Sequence, residues 1–139
     1  MINSRALSDL NPTVMKLCME FIARCKEIGI DILITSTYRD FESQTALYNQ
    51  GRLTKGNIVT NAKAGYSFHN YKVAFDFAPL KNGKVDWNDI STFKKCGAIA
   101  KDVGLDWAGD WVGFKEYAHC QQKGVTIEQL RTKYPKGVV

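Results

Sequence analysis

The chain has two histidines, and each lies near a carboxylate at a spacing that suits metal-dependent chemistry. His69 is followed by Asp76 seven positions later, and His119 is preceded by Glu116 three positions earlier. Two imidazoles and one carboxylate leave one position of a tetrahedral zinc ion open, as a catalytic zinc site requires. A further carboxylate beside such a site is the expected general base for a water molecule. These residues therefore indicate zinc-dependent chemistry on water.

The sequence around Asp76 favours a metal ligand over an ordinary surface carboxylate. Asp76 lies inside the apolar run Val73–Ala78, and a buried charge needs a cation or strong hydrogen bonds. Either histidine motif alone is weak, because a single histidine near a strand is more often packed or exposed than bound to metal. Cys120 is a rival ligand beside His119, but adjacent residues of a strand point to opposite faces.

Length and composition fit one soluble globular domain that spans residues 1–139. Hydrophobic residues make up 45% of the chain and charged residues 24%, as in ordinary globular proteins. No apolar run reaches the roughly 18 residues that a membrane helix needs, and the N-terminus has no signal-peptide pattern. We therefore expect no membrane insertion, and residence in the cytoplasm until something releases the protein.

The net charge of +5 permits an anionic partner. Nucleic acid and an anionic polymer such as a bacterial cell wall both fit this charge. The basic residues are not interleaved with aromatic residues on one element, so we expect no nucleic-acid groove. The four cysteines form no C-x-x-C pair, and without an export signal we expect no disulfides.

Periodicity and turn residues predict an α+β fold, a small antiparallel sheet flanked by helices. Helix starts are indicated by Asn11-Pro12 and by a capping box at Thr126 and Gln129. The predicted helices run from Pro12 to Gly29, from Phe41 to near Gly51, from Asp86 or Asn88 to Gly104, and from Ile127 to Tyr134. The predicted strands are Ile30–Thr37, Val73–Ala78 and a short one around His119. Residues 51–67 are predicted to form a long loop, and such loops are often functional.

The order of the motifs resembles a known family. Ser67-x-His69-x6-Asp76 followed by Glu116-x-x-His119 is similar to the pattern of zinc peptidases that cut peptidoglycan stem peptides. That family includes D-alanyl-D-alanine carboxypeptidases and L-alanyl-D-glutamate endopeptidases, and the resemblance is greatest to compact phage endolysins. It covers about residues 30 to 121. The other segments that carry it are Thr35–Arg39, Leu47–Arg52, Val59–Ala62 and Trp107–Trp111.

The resemblance implies a role for each residue of the pattern. The zinc ligands it implies are His69, Asp76 and His119. It implies that Glu116 is the catalytic base and that Arg39 stabilises the developing oxyanion, which suits a permanently cationic side chain. The resemblance also implies that Ser67 and Arg39 bind the substrate. Gln44 is a weaker assignment, either as a substrate-binding residue or as a residue that supports the site.

Four residues depart from the family pattern. Lys72 stands where glycine is common, Ala108 where a second glycine is frequent, Ala118 where proline is frequent, and Cys120 where phenylalanine is frequent. Lysine is strained where the backbone needs a positive φ, and its charge would lie near a cationic centre. We expect Lys72 and Ala118 to reduce activity or local order without abolishing zinc binding, so Lys72→Gly and Ala118→Pro should raise activity.

We expect zinc-dependent hydrolysis of the peptidoglycan stem peptide by a monomer, at the L-alanyl-D-glutamate bond, in phage-type cell lysis. Within the same class, the alternative is a D-alanyl-D-alanine carboxypeptidase. A non-catalytic cell-wall-binding module on the same scaffold is an alternative from another class, although the presence of Glu116 argues against it. A globular domain without metal is the remaining alternative.

Overall fold

The computed structural model describes residues 1–138, which form four helices and one five-stranded antiparallel sheet. The helices are α1 (Pro12–Glu27), α2 (Phe41–Asn49), α3 (Ile90–Val103) and α4 (Ile127–Lys133). The strands are β1 (Asp31–Ser36), β2 (Ala74–Lys81), β3 (Lys84–Val85), β4 (Leu105–Trp107) and β5 (His119–Gln122). The predicted α+β class is confirmed. Within residues 1–138, no helix combines the length and apolar character needed to cross a membrane.

Side-chain caps fix where the helices begin. Asn11 accepts a hydrogen bond from the backbone of the first turn of α1, and Thr126 forms the predicted capping box with Gln129 at α4. The prediction for α3 was wrong by a few residues. Asp89, rather than Asp86 or Asn88, caps this helix by accepting from the Thr92 amide. A free backbone N–H at the first turn needs such an acceptor.

The sheet has the strand order β1-β2-β5-β4, and β3 pairs with the far end of β2. Strand β2 starts one residue later than predicted and continues to Lys81, because β3 extends the ladder beyond Ala78. Asn82 and Gly83 both have positive φ in the connecting turn, as a two-residue hairpin requires. The central strand β2 therefore pairs with β1 on one side and with β5 and β3 at the two ends of its other side.

Alternation along β2 separates the hydrophobic core from the functional face. Phe75 and Phe77 contact Phe21 of α1, with ring centroids 5.7 and 5.0 Å apart, and Phe77 also contacts Phe93 of α3. Asp76 lies between the two phenylalanines in sequence, so its side chain projects from the opposite face. Helices α1 and α3 thus cover one face of the sheet, and the Asp76 side chain lies on the other face.

The four cysteines all belong to the core. Cys18 and Cys25 lie seven residues apart on one face of α1 and are fully buried. Cys96 of α3 is also fully buried, and Cys120 packs in the same cluster. All four are thiols. Cys120 points to the core because it neighbours His119 on β5, so strand alternation removes it as a rival ligand.

The indole of Trp107 links the core to the segment that carries Glu116 and His119. It lies between two glycines, and a Cβ atom on Gly97 or Gly109 would approach the ring to 2.2 or 2.1 Å. Its Nε1 donates to the Tyr117 carbonyl oxygen at 2.8 Å. A buried indole N–H normally finds such a partner, and here the partner fixes a backbone position between the two site residues.

Lys72 has a left-handed backbone conformation, in agreement with the glycine that is common at this position of the family pattern. Its φ is 63° and its ψ 25°, directly after the 3₁₀ turn Phe68–Tyr71. Its charged group contacts Tyr38 and does not line the cavity that contains His69. Its Nζ atom lies 4.8 Å from the ring centroid of Tyr38, and Lys72 lines a different cavity from His69. The departure from glycine therefore concerns the backbone rather than the electrostatics of the site.

We predict that Lys72→Gly is more stable than Lys72→Ala by about 1 kcal/mol, because only glycine adopts the left-handed region without a Cβ clash. Both variants lose the contact of the ammonium with Tyr38, so their difference isolates the backbone. Denaturant midpoints at equal m-values measure it. Equal midpoints would contradict a left-handed residue at this position.

Candidate active site

Three potential metal-binding atoms converge on the face of the sheet opposite α1 and α3. His69 Nε2 and His119 Nδ1 each lie 3.1 Å from Asp76 Oδ1. The ligand atoms of the three residues all lie within 4.8 Å of one another. The structure thus brings together the two histidines and the carboxylate that the sequence singled out, although His119 lies 43 residues after Asp76.

The other ring nitrogen of each histidine is held by an oxygen acceptor. His69 Nδ1 lies 2.8 Å from the carbonyl oxygen of Thr37, and His119 Nε2 lies 2.9 Å from Gln121 Oε1. A carbonyl oxygen only accepts, so each of these nitrogens donates its proton outward. In a neutral imidazole the lone pair of the opposite nitrogen then faces Asp76, whereas in a protonated imidazole that nitrogen donates to the carboxylate. Such outer partners fix the tautomer and orientation of metal-binding histidines.

The donor set fits a divalent cation. Two imidazole lone pairs and a carboxylate oxygen repel one another unless positive charge lies between them. Burial by itself raises the pKa of Asp76, but the charge and hydrogen bonds of His69 and His119 outweigh it and bring this pKa well below its usual value. Burial likewise works against protonation of His119, yet Asp76 raises its pKa above the usual value. The site therefore favours an ionised carboxylate that faces positive charge.

The sheet register explains why two of these side chains meet. Asp76 and His119 are directly opposite each other in the β2–β5 pair, and opposite side chains on one face have Cβ atoms roughly 5 Å apart. On the other side, Asp76 is opposite Ser36, after an irregularity in β1 between Ile34 and Ser36. Strand pairing alone therefore places two of the three ligand atoms, and Asp76 occupies the middle.

His69 reaches the site from the 3₁₀ turn Phe68–Tyr71, which is fixed by local hydrogen bonds. The Ser67 hydroxyl accepts from the His69 amide at 3.3 Å. Asn70 is almost fully buried, and its Oδ1 accepts from the Gly65 amide at 3.0 Å while its Nδ2 donates to the Arg39 carbonyl at 2.9 Å. The turn is therefore tied both to the preceding loop and to the chain after β1.

A cavity of about 270 Å³ surrounds these atoms. Its lining includes the three residues of the cluster and also Arg39, Ser67 and Glu116. Glu116 is exposed, and its backbone is held by the Ala108 carbonyl and by the His119 amide, which donates to the Glu116 carbonyl. The cavity therefore contains a solvent-accessible carboxylate and a guanidinium beside the cluster.

Arg39 is held in place by a buried polar network. Its Nη1 donates to Gln44 Oε1 at 3.1 Å and its Nη2 to Ser36 Oγ at 3.3 Å. Its buried Nε atom has no hydrogen-bond partner among the described residues. Burial lowers the pKa of Arg39, while the nearby charges of Asp76 and Glu116 partly offset this effect. The guanidinium stays cationic, since its ordinary pKa is above 12.

Gln44 lies behind Arg39 rather than in the cavity. It is fully buried, its Oε1 accepts from Arg39, and its Nε2 donates to the Ala62 carbonyl at 2.7 Å. It does not line the cavity of the cluster. Ser67, in contrast, lines the cavity while it caps the turn of His69. The structure therefore separates the two residues that the sequence had grouped as substrate-binding.

Sequence reasoning missed three groups that hold the cluster: the Thr37 carbonyl, the Gln121 side chain and the Trp107 indole. Gln121 had a usable signal, because the spacing of His119 and Gln121 on a strand puts both side chains on one face. The Thr37 carbonyl had none, since a backbone acceptor is independent of residue type. The role of Trp107 depends on two glycines that are distant in sequence.

The comparison with known families decides the classification. Residues 7–132 match the family described as VanY, D-alanyl-D-alanine carboxypeptidase. The chain belongs to this VanY family. It is 42% identical over 123 residues to the peptidoglycan L-alanyl-D-glutamate endopeptidase CwlK of Bacillus subtilis, which covers 82% of this chain and 74% of CwlK. It is 36% identical over 95 residues to the L-alanyl-D-glutamate peptidase of Listeria phage A118, covering 67% of this chain and 31% of that protein.

Solved structures confirm that the fold is that of VanY-family enzymes. The L-Ala D-Glu endopeptidase ChiX of Serratia marcescens superposes with a TM-score of 0.66 at 15% identity, over 96% of this chain and 92% of ChiX. A vancomycin-resistance D,D-pentapeptidase of the VanB type, solved in complex with Zn(II), gives 0.63 at 15% identity, over 90% and 77% of the two chains. At such low identity these likenesses establish the fold alone.

We predict that Gln121→Met weakens zinc binding about 10-fold or more, because His119 loses the acceptor that fixes its tautomer. Gln122→Met is the matched control, since the Gln122 side chain accepts from Asn11 and lines a different cavity. Competition with a chromophoric chelator measures both affinities. Equal zinc affinities for the two variants would contradict the assigned role of Gln121.

Proposed function

We propose that this protein is a zinc-dependent peptidase that hydrolyses the L-alanyl-D-glutamate bond of peptidoglycan stem peptides. The observation that carries the proposal is the convergence of two imidazole lone pairs and one carboxylate in a cavity that also contains Glu116 and Arg39. CwlK and the phage A118 peptidase, whose names specify this bond, support the choice of substrate. Release of the protein to the cell wall would follow from such a substrate.

His69, Asp76 and His119 would hold the zinc ion. Their ligand atoms match the two nitrogens and one oxygen that catalytic zinc sites with an open position use. Zinc bound there supplies a Lewis acid for the scissile carbonyl and makes water a nucleophile near neutral pH. Their outer partners, the Thr37 carbonyl and Gln121, keep both imidazoles in the tautomer that leaves a lone pair inward.

Glu116 acts as the general base and then as the general acid. Its exposed carboxylate lines the cavity, so it can take a proton from the attacking water and deliver it to the leaving amine of D-glutamate. Arg39 faces the same cavity and stabilises the oxyanion that develops on the carbonyl oxygen. We assign Ser67 to substrate contact, and Gln44 to the positioning of Arg39 rather than to contact with substrate.

A D-alanyl-D-alanine carboxypeptidase is the second candidate, and the description of the family favours it. Both reactions need the same metal, base and arginine, so these residues do not separate the two bonds. A non-catalytic wall-binding module would not need Glu116 beside the cluster. The two curated relatives favour the endopeptidase.

Mass analysis of muropeptide digests distinguishes the two bonds. We expect the purified protein to release a stem that begins with D-glutamate and to leave L-alanine on the sugar. A chelator should abolish this activity, one zinc per chain should restore it, and buffer without metal is the control. Loss of only the terminal D-alanine would identify the protein as a carboxypeptidase rather than an endopeptidase. Full activity without any transition metal would refute zinc catalysis.

We predict that Glu116→Gln keeps its zinc but loses about 100-fold or more in activity, because the amide preserves shape without accepting a proton. Elemental analysis gives the metal content, and digestion of purified wall gives the rate. Asp110→Asn is a suitable control, since Asp110 lies on the same aromatic segment but pairs with Lys101 at the surface. Loss of zinc from the Glu116 variant would make this residue a ligand instead.

A further inference from the structure

A second cavity adjoins the cavity around His69, Asp76 and His119, which is called the metal cavity here, and Glu116 is the lining residue of the second cavity to which a bond-breaking role was assigned above. Its volume is about 430 Å³, and it is lined by Ile58–Ala62, Tyr66, Phe114 and Glu116. Five of its eight lining residues, Glu116 among them, also line the metal cavity. A substrate that reaches the zinc ligands can therefore extend directly into this second cavity.

The lining combines exposed apolar faces with uncharged polar groups. Ile58 and Phe114 are 56% and 71% exposed, and Tyr66 is 48% exposed. Thr60 and Asn61 lie in the same lining. An aromatic ring packs against the C–H face of a sugar, while hydroxyl and amide groups bond to its hydroxyl and acetamido groups. Large exposed apolar side chains around one cavity indicate a binding surface.

The charge of the side chains that line this cavity favours an uncharged occupant over an anionic one. Among the described residues that line this cavity, Glu116 is the single charged one, and it is a carboxylate. Beyond the scissile bond, the stem peptide carries free carboxylates that Glu116 would repel. The sugar that bears the stem is neutral in intact peptidoglycan, because its lactyl carboxyl is in amide linkage with L-alanine.

We propose that this second cavity binds the uncharged N-acetylated sugar to which the stem peptide is attached. The inference rests on the proposed endopeptidase activity. One residue, spanning about 3.5 Å, separates that sugar from the L-alanyl-D-glutamate bond. A D-alanyl-D-alanine bond lies four stem residues from the sugar, about 14 Å when extended, so the sugar would not fall in the adjoining cavity.

Arg52 holds the loop that forms one wall of this cavity. Its guanidinium donates to the carbonyl oxygens of Tyr48 (2.5 Å) and Thr60 (3.0 Å), and to Asn61 Oδ1 (3.0 Å). It also stacks on the Tyr48 ring, with Cζ 3.9 Å from the centroid. The loop after Arg52 lacks a helix or ladder of its own. Arg52 is therefore a positioning residue for the sugar-binding wall.

Two substrates test the proposal: a disaccharide-linked muropeptide, and the same stem peptide with an N-acetyl group in place of the sugar. For Phe114→Ala we expect the ratio of kcat/KM on the first substrate to that on the second to fall about fivefold. Val112→Ala should keep the wild-type ratio, since Val112 is fully exposed on the same segment and lines neither cavity. A ratio for Phe114→Ala equal to that of wild type, including the case of equal losses on both substrates, would overturn the proposal.

Arg52→Ala should lower the ratio of kcat/KM on the muropeptide to kcat/KM on the sugar-free peptide, by raising KM for the muropeptide. Arg52→Lys should lower this ratio less, because lysine keeps a donor and a cation over Tyr48. Arg24→Ala is the matched control, since Arg24 pairs with Glu20 on the surface of α1. An Arg52→Ala ratio equal to that of wild type would refute the positioning role. Wild-type cleavage of the sugar-free peptide between L-alanine and D-glutamate tests the proposed function separately from the sugar site.

Discussion

The fold depends on one electrostatic constraint, a carboxylate held between two imidazoles in the middle of the sheet. Asp76 is opposite His119 in the strand register and lies 3.1 Å from a nitrogen of each histidine. Such a group is stable only if positive charge compensates it. Alternation along strand β2 places the carboxylate where such compensation is possible. The flanking phenylalanines anchor the strand in the core, and Asp76 therefore faces the cavity. The same strand thus carries two fully buried core phenylalanines and the central carboxylate of the cluster.

Hydrogen bonds from side chains to backbone hold the rest of the site, because much of it lies outside regular structure. Asn70 joins the turn of His69 to the loop before it and to Arg39, while Gln44 joins Arg39 to Ala62. Arg52 performs a similar function further along the same loop. A long loop without such contacts would sample many conformations, so these side-chain hydrogen bonds restrict the cavity wall. The loop between α2 and the His69 turn is therefore ordered by residues that do not themselves touch the cluster.

The sequence predicted the parts of the fold that obey local rules. The caps at Asn11 and Thr126, and the alternation that sends Cys120 into the core, follow from chemistry within a few residues. The cap of α3 was misplaced because Asp86, Asn88 and Asp89 all suit the position, and only the final backbone selects Asp89. Residue types and spacing suggested the grouping of His69, Asp76 and His119, and the family resemblance supported it, since residues on separate elements have no local signal of contact. The acceptors behind them, such as the Thr37 carbonyl, depend on tertiary packing and could not be predicted.

The site and the core are connected through backbone geometry as well as through side chains. Trp107 packs in the space left by two glycines and holds the Tyr117 carbonyl, which lies between Glu116 and His119. On the other side, the left-handed residue Lys72 ends the turn of His69, and its carbonyl accepts from the Asn11 amide at the start of α1. A change in either place would alter the distance between Glu116 and the His69, Asp76 and His119 cluster without touching these residues. Because catalytic geometry tolerates only small displacements, the precision of this site depends on an indole contact and a strained turn that lie outside the cavity.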